Sequence, residues 1–364
     1  MKFWEKGLNP EQRRAVLQSE GAVLILAGAG SGKTKTLTHR IAYLIEEKKV
    51  NPERVLAVTF TNKAAQEMRE RIEKLLSQSE AAEYGAVVLP PNIGTFHNIC
   101  AKILRREIEV FSHLGYGRNF NIIDDQDQQS IVKKAMKELE MDPDQVRPRS
   151  LLEAISKAKN AQMEPEKYLL QTGSYYEELA AKVYERYQKE LERTNALDFD
   201  DMIRLTVKLL QEFPAVLEKY QDFFQYVMVD EYQDTNALQY TLIHLLTQKH
   251  GNVFVIGDDY QSIYGWRQAD IRNILDFEKD HPEAVVIILD QNYRSTQVIL
   301  DAADGVIRKN VNQRHKKLWT ETKEGELVTL CPAEDEQAEA RFVAETIQEE
   351  LKKGRRANAF AVLY

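Results

Sequence analysis

Cysteine is scarce: Cys100 and Cys331 are the only two in 364 residues, far apart and without metal-ligand spacing, which argues against a disulfide framework or a zinc site. Positive charge is also in short supply. The formal net charge is −8, which argues against indiscriminate binding to nucleic acid, because polyanion affinity comes from phosphates neutralised by Lys and Arg. Any such site has to be local. Long apolar runs are missing too: the start, Met1–Lys2–Phe3–Trp4–Glu5–Lys6–Gly7, lacks the apolar core of a signal peptide, and no later run approaches membrane-spanning length. A reduced, soluble, cytoplasmic protein with no membrane association is expected. Internal repeats and low-complexity tracts are likewise absent, and the length suits one large α/β body or two to three smaller units.

What is present is concentrated at strand ends. Ala22 to Ala27 is a short apolar strand that runs into Gly28–Ala29–Gly30–Ser31–Gly32–Lys33–Thr34 and then a helix. This is the pattern of a phosphate cradle: glycines let successive N–H groups turn toward one anion, Lys33 adds charge for the β/γ-phosphates, and the Thr34 hydroxyl is a Mg²⁺ ligand. The first position of the usual pattern is Ala27, not Gly. Binding of a nucleoside triphosphate with Mg²⁺ is the expectation.

Val-, Ile- and Leu-rich runs at 22–27, 54–60, 225–230, 252–257 and 284–290 read as buried parallel strands separated by helical patterns, the signature of a doubly wound α/β domain. Ligands of such domains sit at the carboxyl ends of the strands. Between about 105 and 220 the strand signal gives way to helix formers, with Asp142–Pro143, Pro148 and Gly173 as breaks, which predicts a helical insertion. Its Tyr175, Tyr176, Tyr184 and Tyr187 suit helix packing better than base stacking. Past 291 a helical stretch leads to a strand-like 326–330, a helix near 336–352 and a final strand at 359–364. An ending inside an apolar strand suggests a truncated chain.

Three further strand ends carry chemistry. The run Phe224 to Val229 delivers Asp230–Glu231, where Asp230 suits Mg²⁺ and Glu231 suits deprotonation of an attacking water. After the next strand, Gly257–Asp258–Asp259–Tyr260–Gln261–Ser262–Ile263–Tyr264–Gly265–Trp266–Arg267 offers Gln261 to a γ-phosphate or water, and Tyr264 and Trp266, two apart, share a side if extended and could stack on unpaired bases. Thr59–Phe60–Thr61–Asn62–Lys63 and Gly94–Thr95–Phe96–His97 are polar-aromatic turns that fit either phosphate and ring contacts or simple helix capping. Two basic stretches, one with Arg147, Arg149, Lys157 and Lys159 and one from Arg308 to Lys317 that includes His315, are either solvated faces or polyanion contacts.

Together these segments closely resemble the UvrD/PcrA/Rep group of superfamily 1 DNA helicases, over essentially the whole chain. Leu8–Asn9–Pro10–Glu11–Gln12 resembles the adenine-reading Q motif, with Gln12 as its base-specific residue. The cradle resembles motif I, in which Ala at the first position is common, and 59–63, 94–97, 230–234 and 257–267 resemble motifs Ia, Ib, II and III. Leu197–Asp198–Phe199–Asp200–Asp201 is similar to the segment before the acidic strand, and Gln291–Asn292–Tyr293–Arg294–Ser295 to motif IV. By that resemblance Tyr293 stacks on adenine and Arg294 is an arginine finger. Departures are Tyr260 where Asp is usual, Gln268 where Gly is usual, and Lys35 where Arg is common beside the nucleotide.

The resemblance implies a RecA-like motor domain at about 1–108 and 197–288, a helical accessory domain at 109–196, and the start of a second motor domain at 289–364. It implies ATP-driven 3′-to-5′ movement on single-stranded DNA and at single/double-strand junctions, in repair or replication. Motifs V and VI, with a second arginine finger, would lie beyond these residues. Lys33, Asp230, Glu231, Gln261 and Arg294 are expected in catalysis, and Gln12, Ala27 to Lys35 and Tyr293 around the nucleotide. Thr59, Phe60, Thr95, Phe96, His97, Tyr264, Trp266 and Arg267 are expected at DNA. Two other readings stay open: a nucleotide- and DNA-binding module with little catalysis, and a P-loop ATPase unrelated to nucleic acid, for which the transporter signature Leu-Ser-Gly-Gly-Gln is lacking.

Overall fold

The computed structural model describes residues 2–79, 88–142, 146–311, 313–314 and 316–364. Pro143 of the expected break and His315 of the second basic stretch lie outside them. A six-stranded, wholly parallel sheet forms the centre, in the order β3 (Asn92–Thr95), β2 (Val55–Thr59), β6 (Tyr226–Val229), β7 (Val253–Gly257), β1 (Val23–Ala27) and β8 (Val285–Leu289). Alternation along each strand divides the core in two. Val23, Ile25 and Ala27 face one layer with the helices Pro10–Leu17, Lys33–Glu46 and Asn62–Leu76. Leu24 and Leu26 face the other with Phe96–Glu107, Phe199–Glu212 and Ala237–Thr247. All five residues of β1 are buried, and at about 1.5–3 kcal/mol per large apolar side chain this central strand is a firm base for the loop that leaves it. The fold is α/β with a parallel sheet and helical insertions, as in RecA-like P-loop NTPases.

Helices Asp125–Glu138, Pro148–Asn160, Pro165–Leu170 and Tyr175–Arg193 dominate the middle of the chain, as expected. Pro148 is the first residue of its helix, where its missing N–H costs nothing, and Gly173 lies between two helices. Val132, Met136, Leu151, Ile155, Tyr184, Tyr187 and Leu191 give these helices their own core. Tyr184 and Tyr187 are therefore packing residues, whereas Tyr175 and Tyr176 are exposed.

Several expectations need correction. β3 was not foreseen as a strand, because Ile93 is its only large apolar residue; as an edge strand it pairs on one side alone. The short parallel pair β4 (Asn121–Ile122) and β5 (Ala196–Leu197) was equally unforeseen. Conversely, 326–330 and 359–364 form no strands: Ala357–Ala359 is a 3-10 turn, and Leu327, Leu330 and Leu363 are 82%, 91% and 95% exposed. A strand needs ladder partners, and among the described residues these segments have none. The helix Glu336–Lys352 does form. Lys159 and Lys316, read as parts of basic surface stretches, are instead 0% and 5% exposed and ion-paired, to Asp198 and Asp201 and to Asp258 and Asp259.

Tyr264 and Trp266 do not lie on an extended segment. Gly265–Arg267 is a 3-10 turn closed by Gln268 in the left-handed region (φ 66°), which accounts for glycine being the residue expected there. Gln268→Gly should raise stability by about 1 kcal/mol, since its contact to Ser156 Oγ at 3.4 Å is weak; denaturant unfolding that showed the glycine variant less stable would contradict this.

Candidate functional site

The cradle leaves β1 at its carboxyl end. Gly30 and Gly32 have φ of 69° and 87°, and a Cβ at either would come within 2.7 Å of a side chain, Asn292 and Arg294 at the first and Gln12 at the second. Gly32 caps Lys33–Glu46, so the first N–H groups of that helix open toward the cradle. Ser31 Oγ donates to the Gly28 carbonyl at 2.7 Å, fixing the turn. Ala27 is fully buried in the sheet, and Thr34 is half-buried in the first helical turn.

Lys33 Nζ meets Glu231 Oε2 at 2.8 Å, joining the cradle to the carboxyl end of β6. Glu231 itself lies at φ 51°, a left-handed conformation uncommon for a non-glycine residue and found most often where side-chain direction matters. Gln233 was not foreseen as a site residue. Its buried amide donates to Glu231 Oε2 at 3.1 Å and to Asp234 Oδ2 at 3.0 Å, and its oxygen accepts from Asp258 N at 2.9 Å. It thereby ties the acidic pair to the loop after β7. Gln261 begins on that loop, and its amide donates to Asp258 Oδ2.

Asp230 is buried, and burial together with the neighbouring Glu231 charge pushes its carboxyl up to about 7. Asp234 is pushed up to about 6 by the same two causes. A cation at Asp230 would relieve the cost of its charge, so the donor set fits Mg²⁺, with Thr34 and Asp230 able to hold it. Among the described residues no cluster of three His, Cys, Asp or Glu is arranged for a metal, and Mg²⁺ bound with phosphates needs only one or two protein ligands.

The segment after β8 closes over the cradle. Asn292 Nδ2 donates to the Ala29 carbonyl at 2.6 Å, and Tyr293 N donates to the Gly30 carbonyl at 2.9 Å. The Tyr293 ring is half-exposed, its hydroxyl accepting from Asn9 Nδ2 at 2.9 Å and donating to Gln291 Oε1 at 2.8 Å. Arg294 is exposed beside Gly30. Gln12 is fully buried in a capping box, where its Oε1 accepts from Asn9 N at 3.1 Å and its Nε2 donates to the Ser31 carbonyl at 2.8 Å. Lys35 Nζ donates to the Gly7 carbonyl, and burial lowers its pKa.

A second constellation lies in a groove lined by Phe60, His97, Lys157, Asp234, Trp266 and Arg267. Phe60 and Tyr264 stack at 6.0 Å with rings 14° from parallel, Tyr264 and Trp266 are 6.3 Å apart, and the Arg267 guanidinium covers the Trp266 ring at 4.5 Å. Trp266 is 73% exposed. Thr95 caps the helix Phe96–Glu107 by accepting from Asn98 N at 3.2 Å, and Phe96 is buried in the core. Thr59 is buried with its hydroxyl unpartnered among the described residues. His97, its pKa lowered by burial, stands edge-on to the exposed Phe199 at 5.6 Å. Phe199 extends this aromatic surface; one ring among Asp198, Asp200 and Asp201 carries no stacking signal in the sequence.

Comparison with known proteins gives the family. The family model "UvrD/REP helicase N-terminal domain" matches residues 8–282, and "UvrD-like helicase C-terminal domain" matches 287–364. The chain is 49% identical over 359 residues to the ATP-dependent DNA helicase PcrA of Bacillus subtilis (strain 168), covering 98% of this chain and 47% of that protein. It is 48% identical over 357 residues to PcrA of Staphylococcus aureus (strain Mu50 / ATCC 700699), covering 98% and 47%. With PcrA of Staphylococcus epidermidis (strain RP62A) the identity is 46% over 359 residues, covering 99% and 48%. The chain thus spans about half the length of the curated relatives it matches. With a cradle, an acidic strand end and family matches along nearly its whole length, the chain belongs to the UvrD/PcrA/Rep family of superfamily 1 helicases.

Proposed function

We propose that this chain is the ATP-hydrolysing, strand-gripping part of a DNA helicase that moves 3′ to 5′ on single-stranded DNA and engages single/double-strand junctions. One observation carries the reading: the loop after β7 supplies Gln261 on the cradle side and Trp266 and Arg267 in the groove, with Tyr264 stacked on Phe60 beside them. Nucleotide chemistry and strand grip then share a single short loop. The division into a motor domain at 1–108 and 197–288, a helical domain at 109–196 and a second motor portion from 289 belongs to this proposal.

In this mechanism the backbone from Gly28 to Thr34 and the Lys33 ammonium hold the phosphates of ATP, with Ala27 anchoring the loop in the sheet. Thr34 and Asp230 hold Mg²⁺, which supplies charge neutralisation on the phosphate oxygens when bound. Glu231 takes the proton of the attacking water as its oxygen bonds to the γ-phosphorus and the bond to ADP breaks. Gln261 orients that water or the γ-phosphate, and Arg294 stabilises the charge spread over the transferring group. Tyr293 stacks on the base, with Gln12 and Lys35 near base and ribose. Phe60, Tyr264, Trp266 and Arg267 hold unpaired bases and His97 lines the same groove, while Thr59, Thr95 and Phe96, expected at DNA from sequence, are buried and support this wall from behind.

Phe60→Ala and Trp266→Ala should each weaken binding of a labelled single-stranded oligonucleotide by about 1–3 kcal/mol at fixed salt, read by fluorescence anisotropy. Unchanged affinity in both variants would remove the groove from the proposal. A second reading, binding without appreciable turnover, is favoured by the direct Lys33–Glu231 pair, in which base and phosphate ligand neutralise each other.

A further inference from the structure

Lys316 lies far along the chain from the cradle, in the segment that follows β8 and the helix Gln297–Ile307, yet it is buried against the loop after β7. Its ammonium pairs with Asp258 Oδ1 at 2.7 Å and with Asp259, and it sits 4.1 Å from the centre of the Tyr260 ring. The Tyr260 hydroxyl brackets the same residue, accepting from Lys316 N at 3.0 Å and donating to its carbonyl at 3.3 Å. Arg314 N donates to Asp259 Oδ2 at 2.7 Å, and the Arg314 guanidinium bonds the Leu275 carbonyl at 2.8 Å and Glu278. Leu318 packs in the space above Gly28. The segment is thus locked onto the cradle and the 258–260 loop by a buried cation, an aromatic ring and two bracketing hydrogen bonds.

Asp258 has a second task. Its Oδ2 accepts from the Gln261 amide, while its Oδ1 accepts from Tyr260 N at 3.2 Å and carries the Lys316 pair. Both carboxylate oxygens are committed, so the plane of this carboxylate, and with it the Gln261 amide, is set by where Lys316 stands. Ala29, Gln261 and Lys316 line one cavity, which places this chain of contacts against the cradle. Removing the ammonium would leave two buried carboxylates facing each other, and Asp258 would turn away.

We propose that Lys316 is a positioning residue for ATP hydrolysis: through Asp258 it fixes the Gln261 amide, so that a residue from the segment beyond β8 completes the site built on the first sheet. This rests on the reading of Gln261 given under Proposed function. Lys316 touches no reacting atom in this arrangement and contributes little to nucleotide affinity.

The test is single-turnover hydrolysis of ATP with Mg²⁺ and single-stranded DNA, by Lys316→Met, Asp258→Asn and Gln261→Ala alone and by Lys316→Met combined with Gln261→Ala. Nucleotide affinity and melting temperature are measured on the same samples. Each single variant should lose about 10- to 100-fold in rate, as expected for a group displaced by about an ångström, with affinity changed less than about threefold. The double variant should be no slower than Gln261→Ala alone, because both changes break one chain of contacts. Multiplied losses in the double variant, or a folded Lys316→Met that hydrolyses within about twofold of the parent chain, overturn the proposal. Should Lys316→Met not fold, Asp258→Asn carries the same comparison. Nucleotide affinity indifferent to Lys33→Ala would instead show that the ATP site itself is misplaced, and the role of Lys316 falls with it.

Discussion

Arg294→Ala is expected to cut the rate of ATP hydrolysis by about 10³-fold or more while nucleotide binding changes little. The Arg294 backbone N–H donates to Asn292 Oδ1 at 2.8 Å, and Asn292 in turn donates to the Ala29 carbonyl, so the start of this side chain is pinned to the cradle. Its Cβ would lie 2.7 Å from a Cβ at Gly30. The guanidinium beyond is exposed and, among the described residues, has no ion-pair partner, leaving all its donors for charge that develops on a transferring phosphoryl group. Arg294→Lys should recover only part of the loss, because a point charge does not reproduce a planar fork. Single-turnover rates beside nucleotide dissociation constants measure both effects. An Arg294→Ala variant as fast as the parent chain would remove the finger from the mechanism.

Glu231→Gln is the second large effect: turnover should fall by about 10²- to 10⁴-fold while ATP binds as tightly as before or more tightly. Glu231 is placed twice over, by its left-handed backbone and by the hydrogen bond from Gln233, so an isosteric amide keeps the shape and loses only the base. Two consequences separate this from general damage. Lys33 loses its 2.8 Å ion pair and is released to the phosphates, which favours binding. Asp230 loses the negative neighbour that helps burial hold its carboxyl near 7, so its pKa should move down toward the ordinary carboxylate range. A variant that both binds and hydrolyses normally would place the base elsewhere.

Much of this was legible in the sequence because it is local. Strand, glycine turn and Lys-Thr stand in one continuous stretch, as do β6 and its two acidic residues, and apolar runs without alternation suit strands covered on both faces. What stayed hidden depends on partners distant along the chain. Lys316 has the neighbours of a surface cation, and it is the approach of Asp258, Asp259 and the Tyr260 ring that buries it. Lys159 is the same case, enclosed by Asp198, Asp201 and the Tyr187 ring. Residues 326–330 have strand propensity without a ladder to join, and β3 has a ladder without much propensity. Gln233 carried no signal either, since an amide beside an acidic pair reveals its task only when its two ends are seen to bridge Glu231 and the loop after β7.

The most direct measurement is ATP hydrolysis by this chain with and without single-stranded DNA, run beside Lys33→Ala. A strand-coupled motor should turn over faster when DNA is added, and Lys33→Ala should lose about 10²-fold or more with its phosphate charge gone. Turnover indifferent to DNA, or a Lys33→Ala variant at full speed, would contradict the coupling of this cradle to a DNA strand.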